Sequence, residues 1–137
     1  MATFQKFNSF VEALAEGKHD LGSDTLTLAL CDTAPVATDA TLSDLSAKEI
    51  AYTNLDSRVL SVSASSQTSG TYKLTIADKT LTASGAVATF RYVVIYNDTA
   101  TNDELVGFYD YGSDVTLANG ETFTVNFDDS NGVLTIT

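Results

Sequence analysis

The sequence predicts a mostly-β fold, an antiparallel β-sandwich or small barrel with one N-terminal α-helix. Three observations lead there. Apolar residues alternate with polar ones at a period of two over several stretches of four to seven residues. Turn dipeptides such as Ser69-Gly70, Asn119-Gly120 and Asn131-Gly132 separate those stretches. Only one segment, near the N-terminus, repeats at the three-and-four spacing of a helix. A chain of 137 residues fits one domain, 1–137, and no repeat, low-complexity block or linker divides it.

The helix is predicted over residues 4–16. Phe4, Phe7, Val11 and Leu14 form its apolar stripe, Phe10 widens that stripe, and Gly17 suits a C′ stop. Thr3 is the expected N-cap, but Lys6 at the N3 position leaves no capping box. Lys6 near the start and Glu12 and Glu16 near the end oppose the helix dipole. A helix this short and this placed has little stability alone, so its phenylalanines must dock on the home sheet or on a neighbouring molecule.

From Leu26 the period becomes two. Leu26, Leu28 and Leu30 alternate with Thr25, Thr27 and Ala29, Tyr72, Leu74 and Ile76 with Thr71, Lys73 and Thr75, and Phe123, Val125 and Phe127 with Thr122, Thr124 and Asn126. Each reads as a half-buried strand with a polar outer face. Phe90–Tyr96 is apolar on nearly both faces and reads as a central strand whose second face is also covered, with the helix as the candidate cover. Further strands are expected at 58–64, 80–83, 104–111 and 133–137. Asn119-Gly120 predicts a type I′ hairpin between Val115–Ala118 and Glu121–Phe127. Residues 32–57, with Pro35 and scattered Asp, Ser and Thr, read as a long irregular connection of the kind that often carries function.

Seven Lys and Arg against 18 Asp and Glu give a net charge of −11. Affinity for phosphate needs clustered cations, so nucleic acid and anionic membrane are not expected partners, whereas a basic protein surface fits. No apolar run approaches the roughly 18 residues of a membrane span. The N-terminal residues lack the basic and unbroken apolar regions of a signal peptide, so synthesis in a cytoplasm is the expectation.

Catalytic signals are sparse. His19 is the only histidine, in a polar Lys18-His19-Asp20 turn, and reads as a solvated loop residue. Cys31, the only cysteine, reads as a small buried residue. One Cys and one His cannot supply a four-ligand zinc site, and neither a nucleophile elbow nor a phosphate-binding glycine motif occurs. The chain is therefore expected not to be an enzyme and to need no cofactor. Asp128, Asp129 and Asn131, and Asp110 with Asp114, have the oxygen-rich spacing of calcium loops, but Asp and Asn favour turns for local reasons and no metal is expected. Tyr92, Tyr96, Phe108, Tyr109 and Tyr111 suit core packing better than a sugar-stacking platform. Asn97-Asp98-Thr99 is a glycosylation sequon in form, read as chance.

Four stretches together resemble a known family. They are KFNSFVEALAEGKHDLGSDTLTLALCDTAPVATDA at 6–40, SSQTSGTYKLTIAD at 65–78, FRYVVIYNDTATNDELVGFYDYG at 90–112 and VTLANGETFTVNFDDSNGVLTI at 115–136. Read in order, they are similar to the small virion proteins that decorate or cement the heads of tailed bacteriophages; the chain departs from that pattern over 43–64. The resemblance implies a jelly-roll-like sandwich, a homotrimer, a place on the capsid exterior and the major capsid protein as partner. Within it, Phe4, Phe7, Phe10, Val11 and Leu14 are the candidate partner contacts. A phage tail or receptor-binding fibre domain and a carbohydrate-binding module are the alternative readings.

Overall fold

The computed structural model describes residues 2–137. Among these residues, nine strands and one α-helix follow in the order β1 (Gln5–Lys6), α1 (Asn8–Ala15), β2 (Leu26–Cys31), β3 (Val62–Thr68), β4 (Thr71–Ile76), β5 (Lys79–Thr82), β6 (Phe90–Asn97), β7 (Leu105–Val115), β8 (Thr122–Val125) and β9 (Leu134–Ile136). A short 3₁₀ helix, Leu42–Leu45, interrupts the connection after β2. The strands form three antiparallel sheets in the orders β1-β7-β6-β2, β3-β4-β9 and β5-β8. This is a mostly-β fold with one helix, as the periodicities predict. The division into four, three and two strands does not spell out the two-Greek-key order of a jelly roll.

The main core lies between the four-stranded sheet and the two smaller ones. Leu26, Leu28, Leu30, Val93, Ile95 and Val106 meet Leu74 and Ile76 from β4, Leu81 from β5, and Phe123 and Val125 from β8. A second, smaller core covers the opposite face of the four-stranded sheet, where Ala29, Cys31, Val94, Tyr96, Leu105 and Phe108 pack under Phe7 and Leu45. The central strand β6 thus has both faces buried, as its unbroken apolar run requires. Its outer cover differs in part from the expectation: Phe7, just before the helix, shares the task with Leu45 of the 3₁₀ helix.

The same cover corrects the reading of β2 as half-buried. All six of its residues are buried, and the Thr27 hydroxyl has no hydrogen-bond partner. Its free edge is closed as well. Leu28 N donates to Arg58 O, Leu60 N to Leu26 O, Asp32 N to Lys48 O and Ile50 N to Leu30 O. The long connection therefore returns along β2 and satisfies the backbone groups that an edge strand would expose. The Tyr52 hydroxyl accepts from Leu30 N at 2.9 Å, and the Arg58 guanidinium stacks 3.5 Å from the Tyr52 ring while donating to Leu28 O. A Lys48–Asp39 ion pair at 2.6 Å and a Thr41–Asp44 capping box hold the rest of the segment. Its length is spent on covering a sheet face and a sheet edge.

The helix is shorter than 4–16. Gln5 and Lys6 pair with Phe108 and Gly107 of β7, Phe7 is an extended N-cap without a side-chain cap, and α1 begins at Asn8. The reason lies in the faces. A spacing of three keeps Phe4 and Phe7 together on a helix but places them on opposite sides of a strand. Phe4 goes to the main core and Phe7 to the second one. A Cβ on Gly107 would lie 2.2 Å from the Phe4 ring and 2.8 Å from Gln5 O, so the absence of a side chain there admits β1. The C-terminal stop is as predicted. Gly17 takes φ +76°, Lys18 N donates to Ala13 O and Gly17 N to Leu14 O, a Schellman motif.

Two turn expectations change places. Gly120 has positive φ but Asn119 does not, and the strands flanking them pair elsewhere, β7 with β6 and β8 with β5. The two-residue turn with both residues at positive φ is Ser69-Gly70, which joins β3 to β4.

Candidate functional site

The five residues nominated as partner contacts separate into two groups. Phe7 is fully buried, its ring centroid 5.1 Å from that of Phe108, and Phe10 is buried in the main core. These two are held by the home domain, so the N-terminal segment docks on its own sheets. Val11 is 53% exposed, and Phe4 and Leu14 are half-buried at the margin of the main core. Together with Lys6 and Ala15, these last three and the rim of Phe10 form one wall of an open groove of about 460 Å³. Leu134, Thr135, Ile136 and Thr137 form the other wall, and Ile136 is 40% exposed.

β1 and β9, which flank this groove, are each the last strand of a sheet. The groove therefore joins apolar side chains to two short sheet edges. That combination suits an extended protein segment, which can hydrogen-bond through its backbone and bury alternate side chains. Ile136 and its edge are a contribution that the helical stripe alone does not reveal.

A second apolar hollow, about 320 Å³, lies over β7 and β8. Val93, Tyr109, Tyr111, Phe123 and Val125 line it, with Thr124 and Asn126 at its polar side. Most of the aromatic residues weighed as a platform are core, as expected. Tyr96 and Phe108 are buried, and burial pushes the Tyr109 hydroxyl up to about 12. Tyr111 is the exception at 53% exposed, with its ring 5.1 Å from Phe123. It stands out because β7 bulges there: Phe90 pairs with Val115 and Tyr92 with Asp110, so residues 111–114 have only Arg91 opposite them.

His19 overturns its reading as a solvated loop residue. It is only 6% exposed, because the turn after α1 folds its ring against Phe10, with centroids 5.2 Å apart. Its Nδ1 lies 3.0 Å from Asn97 Nδ2. Asn97 is itself fully buried and donates to Asp24 Oδ2 at 2.7 Å, an arrangement that leaves no room for a glycan on that nitrogen. Burial lowers the His19 pKa from 6.5, against the opposing pull of Glu104 and Asp24. The periodicity of the sequence carries no signal for this cluster, whose members lie 78 residues apart.

The acidic loops are occupied by their own backbone. Asp128 Oδ1 accepts from Ser130 N and Asn131 N at 2.9 and 2.8 Å, and its other oxygen accepts from Asn131 Nδ2 at 3.0 Å. These donors lower its pKa below the ordinary 3.8. Asp110 takes a two-pronged contact from Arg91 and the Gly112 amide. Among the described residues, no three His, Cys, Asp or Glu side chains converge as metal ligands. Cys31 is buried under Leu45 and Phe7, and that burial raises its thiol to about 12. No helix among the described residues is long and apolar enough to cross a membrane. No protein-family model matches the chain, nor does any curated protein or any solved structure.

Proposed function

We propose that the protein is a structural component of a tailed-phage virion that decorates the capsid by binding the outer surface of the major capsid protein lattice. The observation that carries this reading is the groove between α1 and β9, where Val11 and Ile136 leave apolar surface open beside two sheet edges. The rest of the molecule is a sandwich with a closed main core and a covered second face, a scaffold suited to holding a surface in place. A net charge of −11 favours a basic patch on the partner. The resemblance of residues 6–40, 65–78, 90–112 and 115–136 to head decoration proteins supplies the identity of the partner and the homotrimeric state.

The test is co-sedimentation with heads purified without this chain, using wild type, Val11→Asp and Ile136→Asp. Both substitutions place a charge on exposed surface, so melting should stay within a few degrees of wild type while binding to heads is lost. Intact binding by both variants would remove the groove from the reading. Virions that carry only a few copies of the chain, rather than hundreds, would point to a tail or fibre instead. The Tyr111 hollow favours one further reading, a carbohydrate-binding module, because an exposed tyrosine beside Thr124 and Asn126 offers both stacking and hydrogen bonding. Glycan-array binding that Tyr111→Ala abolishes would support it.

A further inference from the structure

The buried corner around His19 has a hydrogen-bond pattern at Nδ1 that the neutral imidazole meets and the imidazolium does not. An amide nitrogen donates and cannot accept, so the 3.0 Å contact with Asn97 Nδ2 makes His19 Nδ1 an acceptor and assigns the ring proton to Nε2. The Asn97 orientation is fixed independently. Its Oδ1 accepts from Thr99 N and Ala100 N at 3.0 and 3.1 Å, while Nδ2 donates to Asp24 Oδ2 at 2.7 Å. Turning the amide to offer oxygen to a protonated ring would break all three bonds. Nε2 is also buried and has no partner. An imidazolium at this position would therefore carry two donors with nothing to receive either.

Three segments meet here. Asp20 N, from the turn after α1, donates to Asp24 Oδ2 at 2.8 Å. Thr25 N, at the entry to β2, donates to Thr99 Oγ1 at 2.8 Å, and Asp98 N to Thr25 O at 2.9 Å. Asn97 is the last residue of β6, and Thr99 and Ala100 belong to the connection from β6 to β7. We propose that His19, Asn97 and Asp24 form an acid-released latch, in which protonation of His19 frees the turn after α1 and the 98–104 connection while the sheets remain folded.

The charges around the ring do not all favour this. Asp24, before β2, and Glu104, before β7, stabilise the cation; Lys18, beside it in the chain, opposes it; α1 presents the ring of Phe10. Desolvation is the largest influence, so the folded-state pKa lies below 6.5. The sign follows from linkage. A histidine held neutral by the fold contributes its full stability above 6.5 and loses it as pH falls through the lower folded value.

The experiment is an NMR titration of the full chain from pH 8 to 5, following the His19 ring and hydrogen-exchange protection factors corrected for intrinsic rates. The His19 midpoint should fall below 6.5. As pH falls through the range from 6.5 down to that midpoint, protection at the amides of Asp20, Thr99 and Ala100 should drop by up to about tenfold per pH unit, the limit for one linked proton. The amides of Val94 and Ile95 in β6, which exchange through global unfolding, should lose no more than the same linked-proton factor and stay protected throughout, showing that the sheets remain folded. His19→Asn keeps an acceptor near the Nδ1 position without a titration and should abolish the pH dependence. Asp103→Asn should leave it unchanged; that carboxyl is raised by burial and by Asp98 and Glu104, and is the competing titration in this loop. A His19 midpoint at or above 6.5, flat protection through its titration, or pH dependence that survives His19→Asn would each overturn the latch. Should His19→Asn fail to fold, the wild-type titration and its amides decide alone.

Discussion

Replacing Phe7 with alanine separates a structural from a docking role for the N-terminal segment. Phe7 has no exposed surface and closes the second core over Ala29, Val94, Leu105 and Phe108. Truncating a fully buried phenylalanine costs about 3–5 kcal/mol, made up of lost transfer energy and the cavity left behind. Its tilted contact with Phe108, at 5.1 Å, supports the upper part of that range, since such aromatic pairs add roughly 0.5–1.5 kcal/mol. The floor and walls of the cavity belong to β2, β6 and β7, which are fixed by their ladders and cannot collapse into the space. Against a total stability of about 5–15 kcal/mol, the loss is a large fraction. For a domain of this size it corresponds to a fall in Tm of about 10–20 °C. Urea unfolding followed by circular dichroism measures it directly, with an unchanged slope showing that the unfolded ensemble is not the cause. Val11→Ala, on the exposed face of the same segment, should stay within about 0.5 kcal/mol of wild type. A Phe7→Ala variant that loses less than about 1 kcal/mol, with reduced binding to heads, would refute the core assignment and return the segment to the role of a docking arm.

Gly107→Ala should destabilise by about 1–3 kcal/mol, because the added methyl overlaps the Phe4 ring and the Gln5 carbonyl; loss of protection at the amides of β1 alone, with β6 intact, would show the damage confined to that pairing. Acid should weaken the fold below pH 3.8, where Asp44, Asp110 and Asp128, all held below that ordinary value by hydrogen bonds, take up protons: their stabilisation is complete above 3.8 and is lost as pH falls through the depressed values. Asp128→Asn should flatten part of that profile. Melts in calcium and in chelator should coincide at neutral pH, and a chelator-induced drop of several degrees would mean that the Asp128 loop binds an ion in preference to its own amides.

The strands were legible because a period of two reports burial directly. Leu26–Leu30, Tyr72–Ile76 and Phe123–Val125 all lie in strands, and the two-faced run of Phe90–Tyr96 became the centre of the largest sheet. What alternation cannot report is a cover supplied from far away. Ala29 looks like part of an outer face until Phe7 and Leu45 are placed over it, from 22 residues before and 16 after. His19 and Asn97 were opaque for the same reason, since a buried polar pair gains its meaning only from the partner. A helix start at Phe4 does not follow from the sequence alone, because a spacing of three satisfies a helix and equally satisfies a short strand that sends its two aromatic residues to opposite cores.

The insertion of β1 ahead of the helix narrows the candidate site. On a continuous helix over 4–16, all five apolar residues would share one face, and the whole face would be either core or contact. With β1 inserted, Phe7 is committed to the second core and Phe10 to the first, and only Val11, the rim of Leu14 and the edge of Phe4 remain available to a partner. So small an apolar surface cannot hold a partner by burial alone at about 25 cal/mol per Å². The adjacent edge of β9, with Ile136 exposed beside it, supplies what the helix lacks: backbone donors and acceptors already fixed in an extended geometry. A partner segment would meet the two elements together, so substitutions on either wall should weaken binding by comparable amounts. A loss confined to the α1 wall would show that the β9 edge takes no part.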